Sequence, residues 1–343
     1  MKRRAVFLLV SVAVLCLFLV PLRYRATRSI ERQACILGTI VEIRVSGFHD
    51  TAVARRAVDE ALKEIRRIDE AFSMYKPGST VSRINTLKVG VSLVVDDETL
   101  SLLERSRYWN GRSSGAFDIT IKPLKELWVS AGKKGSLPGK DEIDNALAAV
   151  GQHAVIIDAE LKTIRLAREG VAIDLGGIAK GYAVDRAIDI LKRYGIGSAI
   201  VVAGGDLFCL GRRDVNHPWK LAIRDPVKKD HTVAEFTIED RAVSTSGGYE
   251  RFTEIGERRF SHIIDPKTGM PLEDGPASVT IIARRAIDSD ALATGVSVLG
   301  VQRGMELVNE LEGVDAVIIT NEAGALRFHS TRGMKERYGL TKK

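Results

Sequence analysis

Residues 171–195 read VAIDLGGIAKGYAVDRAIDILKRYG: an apolar extended run, a glycine-rich turn and an amphipathic helix in succession. Val184, Ala187, Ile188 and Leu191 fall on one face of that helix, and Gly195 suits its left-handed C-cap. Residues 198–203 predict another apolar strand, which runs into Gly204-Gly205-Asp206. Towards the N-terminus, residues 163–166 and 154–158 predict short strands, residues 141–150 a short helix, and the glycine- and lysine-rich residues 131–139 a surface loop. Residues 97–109 predict a helix capped by Asp96 or Asp97. Residues 54–72 predict a longer one, with Val58, Leu62, Ile65, Ile68 and Phe72 on its apolar face, and CILGTIVEIRV (35–45) reads as one strand. Towards the C-terminus, strands are expected at 220–223, 233–238, 261–264 and 278–283, helices at 290–299 and 302–311, and a hairpin from 316–320 and 325–329. Strands and helices mix without strict β-α-β alternation. The fold class is therefore α+β, with mixed, largely antiparallel sheets and packed helices, rather than a doubly wound parallel sheet.

The 343 residues carry a net charge of +7, with 45% hydrophobic and 28% charged residues, a globular composition. Seven basic residues and one acid lie in residues 1–32, so that segment accounts for +6 and the rest for about +1. A nearly neutral body lacks the footprint of a nucleic-acid-binding protein. Three cysteines exclude a disulfide scaffold and a cysteine-rich zinc site.

After Met-Lys-Arg-Arg, residues 5–20 (AVFLLVSVAVLCLFLV) hold no charge, and Pro21 follows. This reads as a signal or a membrane anchor, with the uncleaved anchor favoured because no small-x-small cleavage site precedes the next basic residues. Leu15 stands where a lipobox before Cys16 wants a small residue. The expected organisation is an N-terminal signal or anchor with a basic juxtamembrane segment (1–33), one domain (34–330) and a basic, frayed tail (331–343).

Several constellations carry chemistry. In the turn from Asp174 to Gly181, a lysine and three glycines precede a helix, whose first N–H groups and dipole suit an anion; a tight turn with a solvated lysine is the plainer alternative. In Asp288-Ser-Asp290-Ala-Leu-Ala-Thr294, Asp290 and Thr294 share a helical face and offer hard oxygens to Mg²⁺, although either aspartate also suits an N-cap. Phe117-Asp118 could hold a ring and a ribose, or form a capped turn. The hydroxyls of Ser244-Thr245-Ser246 before Gly247-Gly248-Tyr249 could cradle phosphate, or form a turn. His262 is expected on a strand before the turn Asp265–Gly269. Met74 and Tyr75, after the first long helix, could sandwich a flat ring or join the core.

Seven segments in order, SMYKPGSTVSRIN, GAFDITIKPL, IDLGGIAKGYAVD, AGGDL, STSGGYERF, HIIDPKTGMP and DALATG, resemble the ApbE family of FAD:protein FMN transferases over about residues 34–330. The resemblance implies an ApbE-like, T-fold-like domain. It also implies Mg²⁺-dependent transfer of the FMN half of FAD to a Thr or Ser hydroxyl of a target protein, through a phosphoester, with AMP leaving. The metal ligands implied are Gly177 through its carbonyl, Asp290 and Thr294. Leu37, Ser73, Met74, Tyr75, Asp118, Lys180, Thr245, Ser246 and Ile264 are the implied FAD contacts. His262 is the candidate base, with Asp290 beside it in the catalytic set and Asp174 a further alternative base. FAD is the substrate, and the partners implied are FMN-accepting subunits of membrane or exported redox complexes. Attachment to the inner membrane with the domain extracytoplasmic agrees with the apolar N-terminal segment; a homodimer is left open. The other readings are an FAD pyrophosphatase that releases FMN and AMP, and a non-catalytic FAD-binding protein.

Overall fold

The computed structural model describes residues 28–228, 230–247, 252–256, 258–273 and 275–343. The apolar stretch 5–20, Gly248 and Tyr249 lie outside the described residues. Among the described residues no helix is long and apolar enough to cross a membrane.

The chain opens with β1 (Ser29–Ile36) and β2 (Thr39–Ser46), paired antiparallel with Ile36 opposite Thr39. The single strand expected at 35–45 is thus a hairpin. Leu37 and Gly38 form its two-residue turn, both with positive φ (57° and 66°), as a type I′ turn requires. Leucine at that position hides the usual Asn-Gly signal.

Helix α1 (Thr51–Phe72) is capped by the Asp50 carboxylate, which accepts from the N–H groups of Ala52 and Val53. It buries Val58, Leu62, Ile65, Ile68 and Phe72, as the spacing predicts; each such burial stabilises by about 1.5–3 kcal/mol. There follow α2 (Thr80–Asn85), β3 (Leu93–Val94), α3 (Asp97–Arg112, capped by Asp96), α4 (Lys122–Lys134) and α5 (Lys140–Ala148). The loop expected from residue 131 starts only after α4, where Gly135 takes the left-handed cap (φ 70°). Strands β4 (Val155–Asp158) and β5 (Thr163–Leu166) form a small sheet with β3.

Residues 171–175 join no sheet. The carboxamide of Asn85 takes both backbone groups of Ile173: its Nδ2 donates to the carbonyl (2.9 Å) and its Oδ1 accepts from the N–H (2.6 Å). A side chain thus replaces a neighbouring strand, and the strand pattern of the sequence is met without a ladder.

Next come α6 (Ala179–Arg193), β6 (Ala199–Ala203), β7 (Asp206–Leu210), β8 (Trp219–Arg224), β9 (Thr232–Ile238), β10 (Arg241–Ser246), the hairpin β11 (Phe252–Ile255) and β12 (Arg258–Ser261), and β13 (Ser278–Ala283). Helix α7 (Ala286–Asn309) is broken at Gly300, where φ is 75° and ψ is −173°, which accounts for the two helices expected there. The chain closes with β14 (Asp315–Glu322), β15 (Ala325–Ser330), α8 (Arg332–Glu336) and β16 (Thr341–Lys342).

Eight strands make the central sheet in the order β1-β2-β6-β7-β10-β13-β14-β15, every pair antiparallel. Side chains alternate across it. Ile43, Val201, Ile281 and Ile318 meet α1, α6 and α7 on one face. Cys209, Val243, Ile282 and Ile319 meet the three-stranded sheet β16-β9-β8 on the other. The segment after Thr331, expected to fray, belongs to this second core: Met334 and Tyr338 are buried, and Thr341 pairs with Glu235. A third apolar cluster joins Leu124 and Trp128 of α4 to Phe260 and Ile264. The fold class is α+β with antiparallel sheets, as expected; the anchor lies outside the described residues.

Candidate functional site

Three distant stretches meet on the helical face of the central sheet: the turn 174–178 before α6, Asp206 at the start of β7, and the first turns of α7. Lys180 is the link between them. Its Nζ donates to the Gly176 carbonyl (2.9 Å), to Asp206 Oδ2 (3.0 Å) and to Asp290 Oδ1 and Oδ2 (3.2 and 3.3 Å). The side chains of both aspartates are almost wholly enclosed, 5% and 4% exposed, so neither charge is relieved by water. Burial works against the lysine charge, but Asp206 and Asp290 outweigh it and hold the ammonium above its ordinary range. The Asp290 carboxyl is also pushed up: burial first, then the charge of Asp206, raise it against Lys180 and the Gly181 N–H. One ammonium stands between two buried carboxylates.

Backbone approach sets these distances. A Cβ at Gly181 would lie 2.1 Å from the Ala286 carbonyl oxygen, so only glycine lets α6 run this close to α7. That closeness brings the Gly181 N–H within 3.0 Å of Asp290 Oδ2. The start of α7 is pinned from three sides. Asp185 on α6 accepts from the N–H groups of Ala286 (2.7 Å) and Ile287 (3.0 Å), a cap supplied from another helix. Burial pushes its carboxyl up to about 6. Arg105 (2.6 Å) and Trp109 Nε1 (2.9 Å), both on α3, donate to Asp288. Ser289 Oγ pairs with Ser244 Oγ on β10 at 2.7 Å.

The turn itself is held by Asp174. Its Oδ1 accepts from the Gly176 N–H (2.7 Å), and its Oδ2 receives Lys125 Nζ (2.5 Å). Burial alone would raise this carboxyl, but the Lys125 ammonium and the Gly176 N–H win and hold it below its usual range. The N–H groups of Ile178 and Ala179 go to the Leu175 carbonyl. The free donors expected here for an anion are therefore largely spent inside the turn, and Lys180 points into the carboxylates rather than to open solvent.

Gly177 lies beside α7: a Cβ there would be 3.2 Å from Thr294 Oγ1 and 3.3 Å from Phe117 Cε2. Gly177 is thus brought to the helix that carries Asp290 and Thr294, distant from it in sequence. Among the described residues no group of three or more His, Cys, Asp or Glu is arranged to hold a metal. A cation here would rest on one carboxylate, one hydroxyl and a backbone carbonyl. That oxygen-only set fits a hard divalent ion, and so does the surplus of two buried carboxylates over one ammonium.

The other expected residues divide. Leu37 sits on the hairpin tip next to the β6–β7 turn: the Gly204 N–H donates to the Ile40 carbonyl (3.2 Å), and a Cβ at Gly204 would meet Thr39 Oγ1 at 2.9 Å. Ser73 caps the end of α1, its carbonyl accepts from Ser79 Oγ (2.6 Å), and Met74 packs on the first core. Tyr75 is 83% exposed, a ring free to take a planar ligand. Asp118 spends its carboxylate on Thr120, Gln152 and Asn110, and burial keeps it above its ordinary range. Thr245 lies on the sheet face away from Lys180, bonded to Thr280 Oγ1 at 3.0 Å, so its side chain does not join the group; Ser246, one residue on, shares the face of Ser244. His262 is not on a strand: it follows β12 in a bend, half-buried. Ile264 turns into the third apolar cluster. Asp206, Lys125 and Asp185 were not singled out by sequence. The signal for Asp206 is an acid at an inward position of the apolar strand DLFCL.

Comparison with known proteins gives a consistent result. The model of the ApbE family matches residues 37–318. A relative from Treponema pallidum (strain Nichols), named FAD:protein FMN transferase, is 33% identical over 324 residues, covering 90% of this chain and 89% of that protein. The solved ApbE protein of Thermotoga maritima superposes with a TM-score of 0.79 at 35% identity, covering 88% of this chain and 96% of that one. The flavin transferase ApbE of Vibrio cholerae gives 0.78 at 26% identity, covering 90% and 99%.

Proposed function

Because this chain belongs to the ApbE family, we propose that it is an FAD:protein FMN transferase, using Mg²⁺ to move the FMN half of FAD onto a Thr or Ser hydroxyl of a target protein. The observation that carries the reading is the meeting of Gly177, Lys180, Asp206, Asp290 and Thr294 from three separate stretches. In the proposed step the acceptor hydroxyl oxygen attacks the phosphorus of the FMN half. A new O–P bond forms as the P–O bond to the bridging oxygen breaks. That oxygen leaves on AMP with the bonding pair, and the hydroxyl proton passes to a base, for which His262 is the candidate. Gly177 through its carbonyl, Asp290 and Thr294 would hold Mg²⁺, which when bound supplies charge neutralisation on the pyrophosphate.

Leu37, Ser73, Met74 and Tyr75 would form the flavin side of the site, with exposed Tyr75 offering a stacking face. The partners would be FMN-carrying subunits of membrane or exported redox complexes. Residues 5–20 would attach the enzyme to the inner membrane with its domain outside the cytoplasm.

The test is incubation with FAD, Mg²⁺ and a folded FMN-acceptor domain, followed by intact mass. Addition of one FMN to the acceptor is expected. A competent acceptor left unmodified refutes the reading, and free FMN formed at a comparable rate without acceptor would favour the pyrophosphatase instead.

A further inference from the structure

We infer that Asp206 is a positioning residue that acts through Lys180: it holds the lysine ammonium as its own counter-ion and so leaves Asp290 with net negative charge for a divalent cation. The inference rests on the reading of Asp290 as a cation ligand.

Asp206 and Asp290 are fixed by different elements. Asp206 stands on the central strand β7, opposite Ser244 and Ala203 in register. Asp290 stands on α7, with Oδ2 already receiving the Gly181 N–H. Between them Lys180 Nζ is 3.0 Å from Asp206 and 3.2 Å from Asp290, and the Gly176 carbonyl holds it from a third side. With both carboxylates present, the ammonium can be given wholly to Asp206 when a cation takes Asp290. Without Asp206, Lys180 and Asp290 would close into a neutral pair inside a largely buried site. A cation would then have to displace a lysine with nowhere else to put its charge. Asp206 thus acts on the cation site without being a ligand of it.

The experiment measures Mn²⁺ alone binding to the full chain, by electron paramagnetic resonance, with no FAD turnover involved. Asp206→Asn should weaken Mn²⁺ binding on the order of tenfold or more, as loss of one unit of nearby charge in a poorly solvated site implies. Lys180→Met should tighten it, a gain that misfolding cannot produce. The double variant should return towards the unaltered affinity, because its charge balance is restored. Asp206→Asn binding as tightly as the unaltered chain overturns the inference. So does a weakening by Lys180→Met that the double variant deepens, which would mean a purely structural role. Mn²⁺ affinity unmoved by Asp290→Ala is a different failure: it removes the cation reading itself, and the inference with it.

Discussion

Replacing Gly181 by alanine tests whether helix contact sets the chemistry. The added Cβ would lie 2.1 Å from the Ala286 carbonyl oxygen, 2.5 Å from its carbon and 2.8 Å from the Ile287 nitrogen. Ordinary contacts begin near about 3.5 Å, so α6 and α7 must part by more than about 1 Å. The obstacle is backbone at a capped helix start, not a side chain that can swing away. Three terms set the sign. Alanine favours helix over glycine by about 1 kcal/mol. Overpacking costs about 1–3 kcal/mol. The bond from the Gly181 N–H to Asp290, charge-assisted and buried, is worth roughly 1.5–3 kcal/mol and is stretched by the same movement. The net is a loss of roughly 2–4 kcal/mol, seen as a lower urea midpoint. Function should suffer more than folding does. A displacement of about 1 Å at a positioned reactive group can cost about a hundredfold in rate, so FMN transfer should fall by about that factor where the variant is still folded. A Gly181→Ala variant with unchanged urea midpoint and unchanged transfer would refute the claim that glycine contact fixes the Lys180–Asp290 geometry.

Asp290→Ala should abolish most FMN transfer while far-UV circular dichroism stays native, and chelation of divalent cations should stop transfer by the unaltered chain until Mg²⁺ is restored; transfer that survives either treatment would remove the metal assignment. Asp185 has a folded pKa of about 6 against an ordinary 3.8, so its contribution to stability is full below about pH 4 and is lost as pH rises through 6. The stability of the unaltered chain relative to Asp185→Asn should therefore improve by about 1 kcal/mol on going from pH 7 to pH 5, by urea unfolding at each pH; a gap that does not change with pH would contradict this. Deleting residues 332–343 strips Met334 and Tyr338 from the second core and Arg337 from buried Asp315, and should cost roughly 5 kcal/mol or more, measured as a lower melting temperature and faster proteolysis.

The sequence made most of the architecture legible where one period dominated. α1 announced its apolar face through Val58, Leu62, Ile65, Ile68 and Phe72, and α3 its cap at Asp96. It misled where the deciding partner lay far away. Residues 171–175 carry a strand pattern, but both backbone groups of Ile173 go to Asn85, 88 positions away, and the Asp174 N–H goes to the Ile119 carbonyl. The hairpin turn at Leu37-Gly38 was concealed because leucine seldom adopts positive φ. The tail looked polar because its buried residues, Met334 and Tyr338, are spaced among basic ones. In the site, Asp290, Thr294, Gly177 and Lys180 stood out as oxygen donors and a cation near glycines. Thr245 did not belong with them. On β10 alternate residues face opposite sides, so Ser244 reaches Ser289 near the site while Thr245 reaches Thr280 behind the sheet. A cluster of hydroxyls in a row cannot state which of them share a face until the strand is known.

The arrangement around Asp290 follows from the cost of burying charge. Two enclosed carboxylates with one ammonium are under-neutralised, and such a group relaxes by moving apart or by taking protons unless its supports are stiff. Here the supports come from every side. Asp185 caps the first turn of α7, Arg105 and Trp109 hold Asp288, Ser244 holds Ser289, and Gly181 lets α6 press against the same turn. Four residues in a row, Ile287 to Asp290, are each tied to a different neighbour or backbone group. Only the bonds to Asp185 cap backbone N–H groups; the ties to the side chains of Asp288, Ser289 and Asp290 go beyond capping. The excess of anchors is what a site needs if an unsatisfied negative charge is to be kept in place for a ligand, because preorganised charge acts without reorganisation when the substrate arrives.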